Sequence, residues 1–302
     1  MIRVTLAGEE LTGFAGDGPD RRIKMFFPVP GQDRPAVPRA STGGPVWPAG
    51  EARPTIRTYT VRRFDASAGE LDVDFVLHAG HGPAAAWARD ARPGAWVGVS
   101  EPGGHYAPDP TADFHVVIGD ETALPAVATV LAAIDPARAM TFLEVADAAE
   151  EQVLPGAVTW VHRDGRRAGE PLAAAVRSAS LPDGRGQAWL SGESACVRDL
   201  RRHLLEERGF DRRLVYATGY WRDRLPAAAA ASTGTGSEFD RGGGAGRGEA
   251  GPTWVSSHST SGAAARHADR TRSNGSGVAT HGPSSHRRTT CNPRRRASQT
   301  RG

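Results

Sequence analysis

Residues 57–64 read RTYTVRRF. Aromatic and β-branched residues alternate here with hydrogen-bonding ones, as they do in a strand. On an extended chain Arg57, Tyr59 and Val61 face one side, and Thr58, Thr60 and Arg62 the other. Spacing alone makes Tyr59 an ordinary core aromatic and makes Arg57 and Arg63 solvated edge charges. Whether the stretch does more depends on its surroundings.

Outward from this segment, residues 1–108 are short strand-like runs punctuated by Pro and Gly. MIRVTLAG, IKMFFPV, IRTYTVRRF, ELDVDFVLH and GAWVGVSEP each fit a strand, separated by turn material such as DGPD and SAGE. Strands of this length and spacing predict a small antiparallel barrel or sandwich. Residues 109–225 change period. FHVVIGD, MTFLEVA, VTWVHRD, QAWLSGE and RLVYATGYW are strand-like, most of them apolar runs. They alternate with the helical patterns DETALPAVATVLAAI, PLAAAVRSASL and SACVRDLRRHLLEERGF. Such alternation predicts an α/β domain with a mostly parallel sheet covered on both faces.

Residues 226–302 lose all sustained apolar period and are dominated by Gly, Ser, Thr, Ala and Arg. A segment of this kind buries too little apolar surface to offset its ordering entropy, so a disordered tail is expected, either a natural extension or read-through in a shifted frame. The whole chain of 302 residues carries a formal charge of +3. Eleven arginines against four acids after Pro226 put about +7 in the tail and leave the first 226 residues at −4. Arg294, Arg295 and Arg296 would attract phosphates, but Phe239 and Trp254 are the tail's only aromatics for base stacking. Nucleic acid is therefore not the expected partner. The two cysteines, Cys196 and Cys291, form no C-x-x-C pair, which argues against a metal or disulfide framework. No apolar run approaches the ~20 residues of a membrane span, and the N-terminus has no signal-peptide pattern. The reading is of a reduced, cytoplasmic monomer with no membrane partner.

RTYTVRRF also carries the groups that a flat, redox-active ligand with a doubly anionic end requires. There is a ring to lie against, a hydroxyl, and an arginine for a pyrophosphate. A flavin dinucleotide has that chemistry. In this setting the chain resembles the ferredoxin-reductase-like flavoproteins, and more narrowly the siderophore-interacting proteins, which are FAD-dependent ferric-siderophore reductases. VTLAGEEL, IKMFFP, RTYTVRRFD, DFVLHAGHGPAAAWA with PGAWVGVSEPGG, IGDETALPA and YATGYWR carry the likeness, in that order, over residues 1–224.

The resemblance implies an FAD-binding barrel at 1–108, a nicotinamide-facing α/β domain at 109–225 and a disordered tail at 226–302. Arg57, Tyr59 and Thr60 match the family's flavin segment, and His78 a residue lining the flavin. Gly82, Pro83, Ala84 and Ala85 match the turn at the FAD phosphates, where small residues let backbone N–H groups approach. Trp87 follows on a short helix whose N-terminus favours an anion. Asp120, Glu121, Thr122 and Ala123 are expected to open the first helix of the second domain, with Thr122 and Ala123 near the flavin. Lys24 and Arg222 match basic positions expected to meet an anionic substrate. Each has a plainer reading: Thr122 as a helix cap, Gly82–Pro83 as a turn, Trp221 as core packing, Lys24 and Arg222 as surface charges.

The implied reaction passes a hydride from NADH or NADPH to FAD and single electrons to the Fe(III) of a ferric siderophore, giving Fe(II) for intracellular use. No catalytic side chain is needed, and a ferredoxin is an alternative donor. The alternatives are a general NAD(P)H-dependent flavoprotein reductase with another acceptor, and an inactive body whose basic tail binds nucleic acid. No G-x-G-x-x-G follows VVIGD. Three departures from the family are visible. Its usual strand ahead of VTLAG is missing, so either translation begins upstream or one barrel edge is open. Ala85 stands where a hydroxyl is common, which removes one hydrogen bond of on the order of 1 kcal/mol. The tail replaces the helix that normally follows GYWR.

Overall fold

The computed structural model describes residues 1–77, 82–104, 106–223 and the strand at 264–267. The strands of the N-terminal half are β1 (Ile2–Ala7), β2 (Arg22–Phe27), β3 (Thr55–Thr60), β4 (Arg63–Asp65), β5 (Glu70–Phe75) and β6 (Gly98–Val99), with helix α1 (Pro83–Asp90) between β5 and β6. They form two sheets, both antiparallel. One has the order β3-β2-β6, and the other contains β1-β5-β4.

Alternation of side chains builds the core. Val4 and Leu6 from β1, Ile23, Met25 and Phe27 from β2, and Leu71, Val73 and Phe75 from β5 point into one cluster with Ala84 and Ala88 of α1. Burying each of these larger side chains contributes about 1.5–3 kcal/mol. The opposite face of β5 carries Asp72 and Asp74, tied down by Thr5 at 2.7 Å, Arg63 at 2.8 Å and Arg3 at 2.6 and 2.8 Å.

RTYTVRRF is not one strand. Residues up to Thr60 pair with β2. Val61 N–H then donates to the Arg21 carbonyl (2.8 Å) and Arg62 N–H to that of Asp72 (2.9 Å), and β4 continues in the other sheet. The segment therefore closes the two sheets around their shared core, and the reason lies in partners distant in sequence.

The second half contains β7 (Phe114–Asp120), α2 (Leu124–Leu131), β8 (Ala139–Val145), β9 (Val158–His162), α3 (Glu170–Ser178), β10 (Gly186–Glu193), α4 (Ser194–Glu206) and β11 (Val215–Trp221). All five strands run parallel in the order β11-β10-β7-β8-β9. Every residue of β7 is buried, as expected of a central strand with helices on both faces. Val117, Leu143 and Trp189 pack on the α2 side, and Val116, Ile118, Phe142 and Leu190 on the α3–α4 side.

Two expectations change. The first helix begins at Leu124, because Asp120 still belongs to β7 and residues 121–123 form a turn. The free edge expected on the first strand is occupied: β12 (Ala264–His267) pairs antiparallel with Val4–Ala7 of β1. The rest of the tail, and with it the expectation of disorder, lies outside the described residues.

Candidate functional site

β3 lies at the end of its sheet, so one side of its backbone is unpaired with any other strand in that sheet. Tyr59 sits opposite Ile23 and Thr60 opposite Arg22. The two side chains lie on opposite faces. Tyr59 packs on the core side against Phe75 (ring centroids 4.4 Å) and Phe27 (6.2 Å). Burial pushes its hydroxyl up to about 12, although the nearby Arg57 opposes this. Thr60 is buried on the far face. Arg57 is exposed, its guanidinium bonded only to the neighbouring Ile56 carbonyl (2.8 Å) among the described residues.

α1 approaches the same aromatic group. Trp87 lies 5.3 Å from Phe27 and 6.1 Å from Phe75, so Tyr59 and Trp87 share two rings. Gly82 is the N-cap and Pro83 the first residue of α1, and no side chain caps it. The N–H groups of Ala84 and Ala85 precede the first intrahelical bond, Ala86 N–H to the Gly82 carbonyl (2.9 Å). An uncapped N-terminus with small residues fits a diphosphate, since no side chain competes for its donors. The structure thus brings Tyr59 and Trp87 to one ring group; Arg57 precedes Tyr59 by two residues on β3, and the Gly82–Ala85 turn opens the helix that carries Trp87. His78 lies outside the described residues.

The parallel sheet supplies a second centre. Strand order reverses between β7 and β10, the crevice where open α/β sheets bind ligands. Asp120 at the end of β7 lies there, buried. One carboxylate oxygen accepts from the backbone N–H (2.9 Å) and hydroxyl of Thr122. The other accepts from Glu193 N–H (2.8 Å) and the Trp221 indole (2.8 Å). Burial pushes this carboxyl up to about 6, and the donors from Thr122 and Trp221 restrain the rise. Gly192 must be glycine here. Its φ is +148°, and a Cβ would stand 2.5 Å from the Asp120 carboxylate. Thr122 thus spends its hydroxyl on Asp120, and Ala123 is fully buried at the start of α2.

Next to it, Arg163 bridges Glu121 (2.6 Å) and Glu144 (3.3 Å), and Glu144 receives Gly169 N–H (3.0 Å) and Leu172 N–H (3.2 Å) at the start of α3. Burial pushes the Cys196 thiol up to about 12, which makes it a poor nucleophile. Among the described residues no cluster of three or more His, Cys, Asp or Glu could hold a metal ion, and no helix is long and apolar enough to cross a membrane.

Lys24 lies on β2 opposite Thr58 on the Thr60 face, and Arg222 follows Trp221 at the sheet's carboxyl end. Among the described residues neither side chain has a hydrogen bond or ion pair, the state of a cation available to a ligand.

Residues 1–106 match the siderophore-interacting FAD-binding domain, and residues 112–224 match the siderophore-interacting protein domain. This chain belongs to the siderophore-interacting protein family. The ferric vibriobactin reductase ViuB of Vibrio cholerae is 35% identical over 232 residues, 74% of this chain and 84% of that protein. The NADPH-dependent ferric-chelate reductase of Escherichia coli is 32% identical over 229 residues, 72% of this chain and 86% of that one. The siderophore utilization protein from T. fusca superposes with a TM-score of 0.64 at 37% identity, covering 74% of this chain and 87% of that one. The T. fusca likeness spans both the antiparallel β module and the parallel α/β module of the described residues.

Siderophore-interacting proteins are recognisable from the motifs around Tyr59, Gly82 and Asp120. The contacts of Asp20 with Trp189 and Tyr220 were not: YATGYWR holds Tyr220, but nothing in the sequence pairs it with a residue 200 positions earlier. Asp20 in DGPD reads as a turn acid.

Proposed function

We propose that the protein is an FAD-dependent reductase of ferric siderophores, acting in the cytoplasm with NADH or NADPH as donor. Residues 1–108 are the cofactor module and residues 109–225 face the nicotinamide. The observation that supports this reading is the ring group of Phe27 and Phe75 shared by Tyr59 of β3 and Trp87 of α1, whose N-terminus has no side-chain cap. The relatives named as ferric reductases support the substrate class, and the E. coli name supports NADPH.

Arg57 and the N–H groups of Ala84 and Ala85 would hold the pyrophosphate, charge to charge and donor to acceptor. Tyr59 and Trp87, fixed by Phe27 and Phe75, would wall the ring system. Thr60 and the unpaired edge of β3 would meet its polar rim. When bound, FAD supplies what the polypeptide cannot: it accepts one hydride and delivers two single electrons, one to each of two ferric chelates. Lys24 and Arg222 would attract an anionic chelate to a body whose net charge is otherwise acidic. Hard oxygen ligands hold Fe(III) more firmly than Fe(II), so reduction loosens the metal.

The test is spectroscopic. Protein loaded with FAD should be bleached by NADH or NADPH and recoloured by a ferric siderophore, faster than by a simple quinone. Equal reoxidation by quinone favours a general flavoprotein reductase. Protein that takes up no FAD and shows no shift of melting temperature with it refutes the reading.

A further inference from the structure

The loop before β2 is plugged into the α/β module. Asp20 N–H donates to the Thr129 hydroxyl of α2 (3.0 Å), and the preceding Pro19 carbonyl accepts Tyr106 N–H (3.4 Å) from the segment that leads into that module. Asp20 itself is fully buried and holds φ +53°, an uncommon conformation for a side-chain-bearing residue. Its carboxylate accepts from the Trp189 indole of β10 (3.4 Å) and the Tyr220 hydroxyl of β11 (3.1 Å). Arg22 lies 3.9 Å from the same carboxylate and donates to the Tyr216 hydroxyl (2.7 Å). A buried carboxylate is costly without its donors, and two of them, Trp189 and Tyr220, come from the α/β module.

Two connections run outward from this anchor. On the barrel side, Arg22 is the ladder partner of Thr60, so the anchor is one cross-strand step from the proposed flavin edge. On the other side, Tyr220 precedes Trp221, which holds Asp120 at the end of β7, and Arg222 follows. The end of β11 is thus held twice, by the barrel's Asp20 through Tyr220 and by Asp120 at the end of β7 through Trp221.

We propose that Asp20 is a positioning residue: held by Trp189 and Tyr220, it fixes the Thr60 end of β3 against the carboxyl end of β11, and so sets the distance a hydride must cross. The proposal rests on the flavin reading above. It assigns Asp20 no contact with substrate or cofactor.

The experiment compares wild type, Asp20→Asn and Tyr220→Phe, each loaded with FAD. Asn keeps the shape and removes the charge; Phe removes one hydroxyl and preserves packing. In both variants FAD affinity should be unchanged, and reoxidation of dithionite-reduced flavin by ferricyanide, a small outer-sphere acceptor, should keep its wild-type rate. Reduction by NADH or NADPH should slow on the order of 10–100-fold, as misplacement of reactants does. Independently of turnover, the Asp20 and Tyr106 amides should exchange hydrogen faster, while those of β5 and β8 should not. Wild-type reduction rates and wild-type exchange in Tyr220→Phe overturn the proposal, as does a parallel loss of the nicotinamide and ferricyanide rates. If Asp20→Asn does not fold, Tyr220→Phe decides. If wild type is bleached by neither nucleotide, the functional reading fails, and the exchange data alone decide the anchor.

Discussion

The indole of Trp221 donates to the carboxylate of Asp120 at 2.8 Å, joining β11 at one edge of the parallel sheet to β7 at its centre. β10 lies between them, and its Glu193 N–H meets the same oxygen. Replacing Trp221 by Phe keeps an aromatic ring and deletes the donor. We expect a loss of about 1–3 kcal/mol, the cost of leaving a buried acceptor short of a partner. Urea denaturation of the two proteins measures it, and superimposable curves would mean the bond contributes nothing.

Asp120 should also make stability depend on pH. Burial raises its carboxyl from 3.8 to about 6 in the folded chain. Between those values the native state holds a proton that the unfolded chain has released. Stability tied to this group is thus full below about pH 3.8 and is lost as pH rises through about 6. The displacement of roughly two pKa units corresponds to ~3 kcal/mol. Asp120→Asn cannot titrate, so the free-energy gap between wild type and variant should change by about this amount over that range. A gap independent of pH would show that the group ionises normally.

Arg57 separates cofactor binding from folding. Its side chain is exposed and bonds only a neighbouring carbonyl among the described residues. Arg57→Ala should leave the melting temperature of the apoprotein within a degree or so of wild type, since surface changes cost roughly 0.5 kcal/mol or less. The affinity for FAD should fall by about 1.5–3 kcal/mol, the range of a charge-assisted bond. Flavin titration followed by fluorescence gives the answer, and an unaltered Kd removes Arg57 from the site.

Lys24 and Arg222 should act on the acceptor alone. Lys24→Ala and Arg222→Ala should raise KM for an anionic ferric chelate more than for a neutral one, and added salt should shrink the difference. Equal changes for both chelates would exclude an electrostatic role.

The elements of this fold were legible wherever the cause was local. Period-two alternation in ELDVDF produced β5 with Leu71 and Val73 in the apolar core and Asp72 and Asp74 on the opposite face, buried there by their ion pairs. Apolar runs such as FHVVIG produced buried parallel strands, and Gly82–Pro83 produced the start of α1. The start of α2 was misplaced because the acidic residue that resembles a helix opener, Asp120, has stronger partners across the sheet in Glu193 and Trp221.

The order of strands and helices and the class of each module were therefore determined by the sequence alone, since each depends on neighbours a few positions apart. Tertiary structure decided the rest. It split RTYTVRRF between two sheets and buried Asp20 among residues 169 and 200 positions away. Such contacts leave no local pattern, because a turn aspartate and a buried anchor are written with the same letters until the chain brings a second module around them.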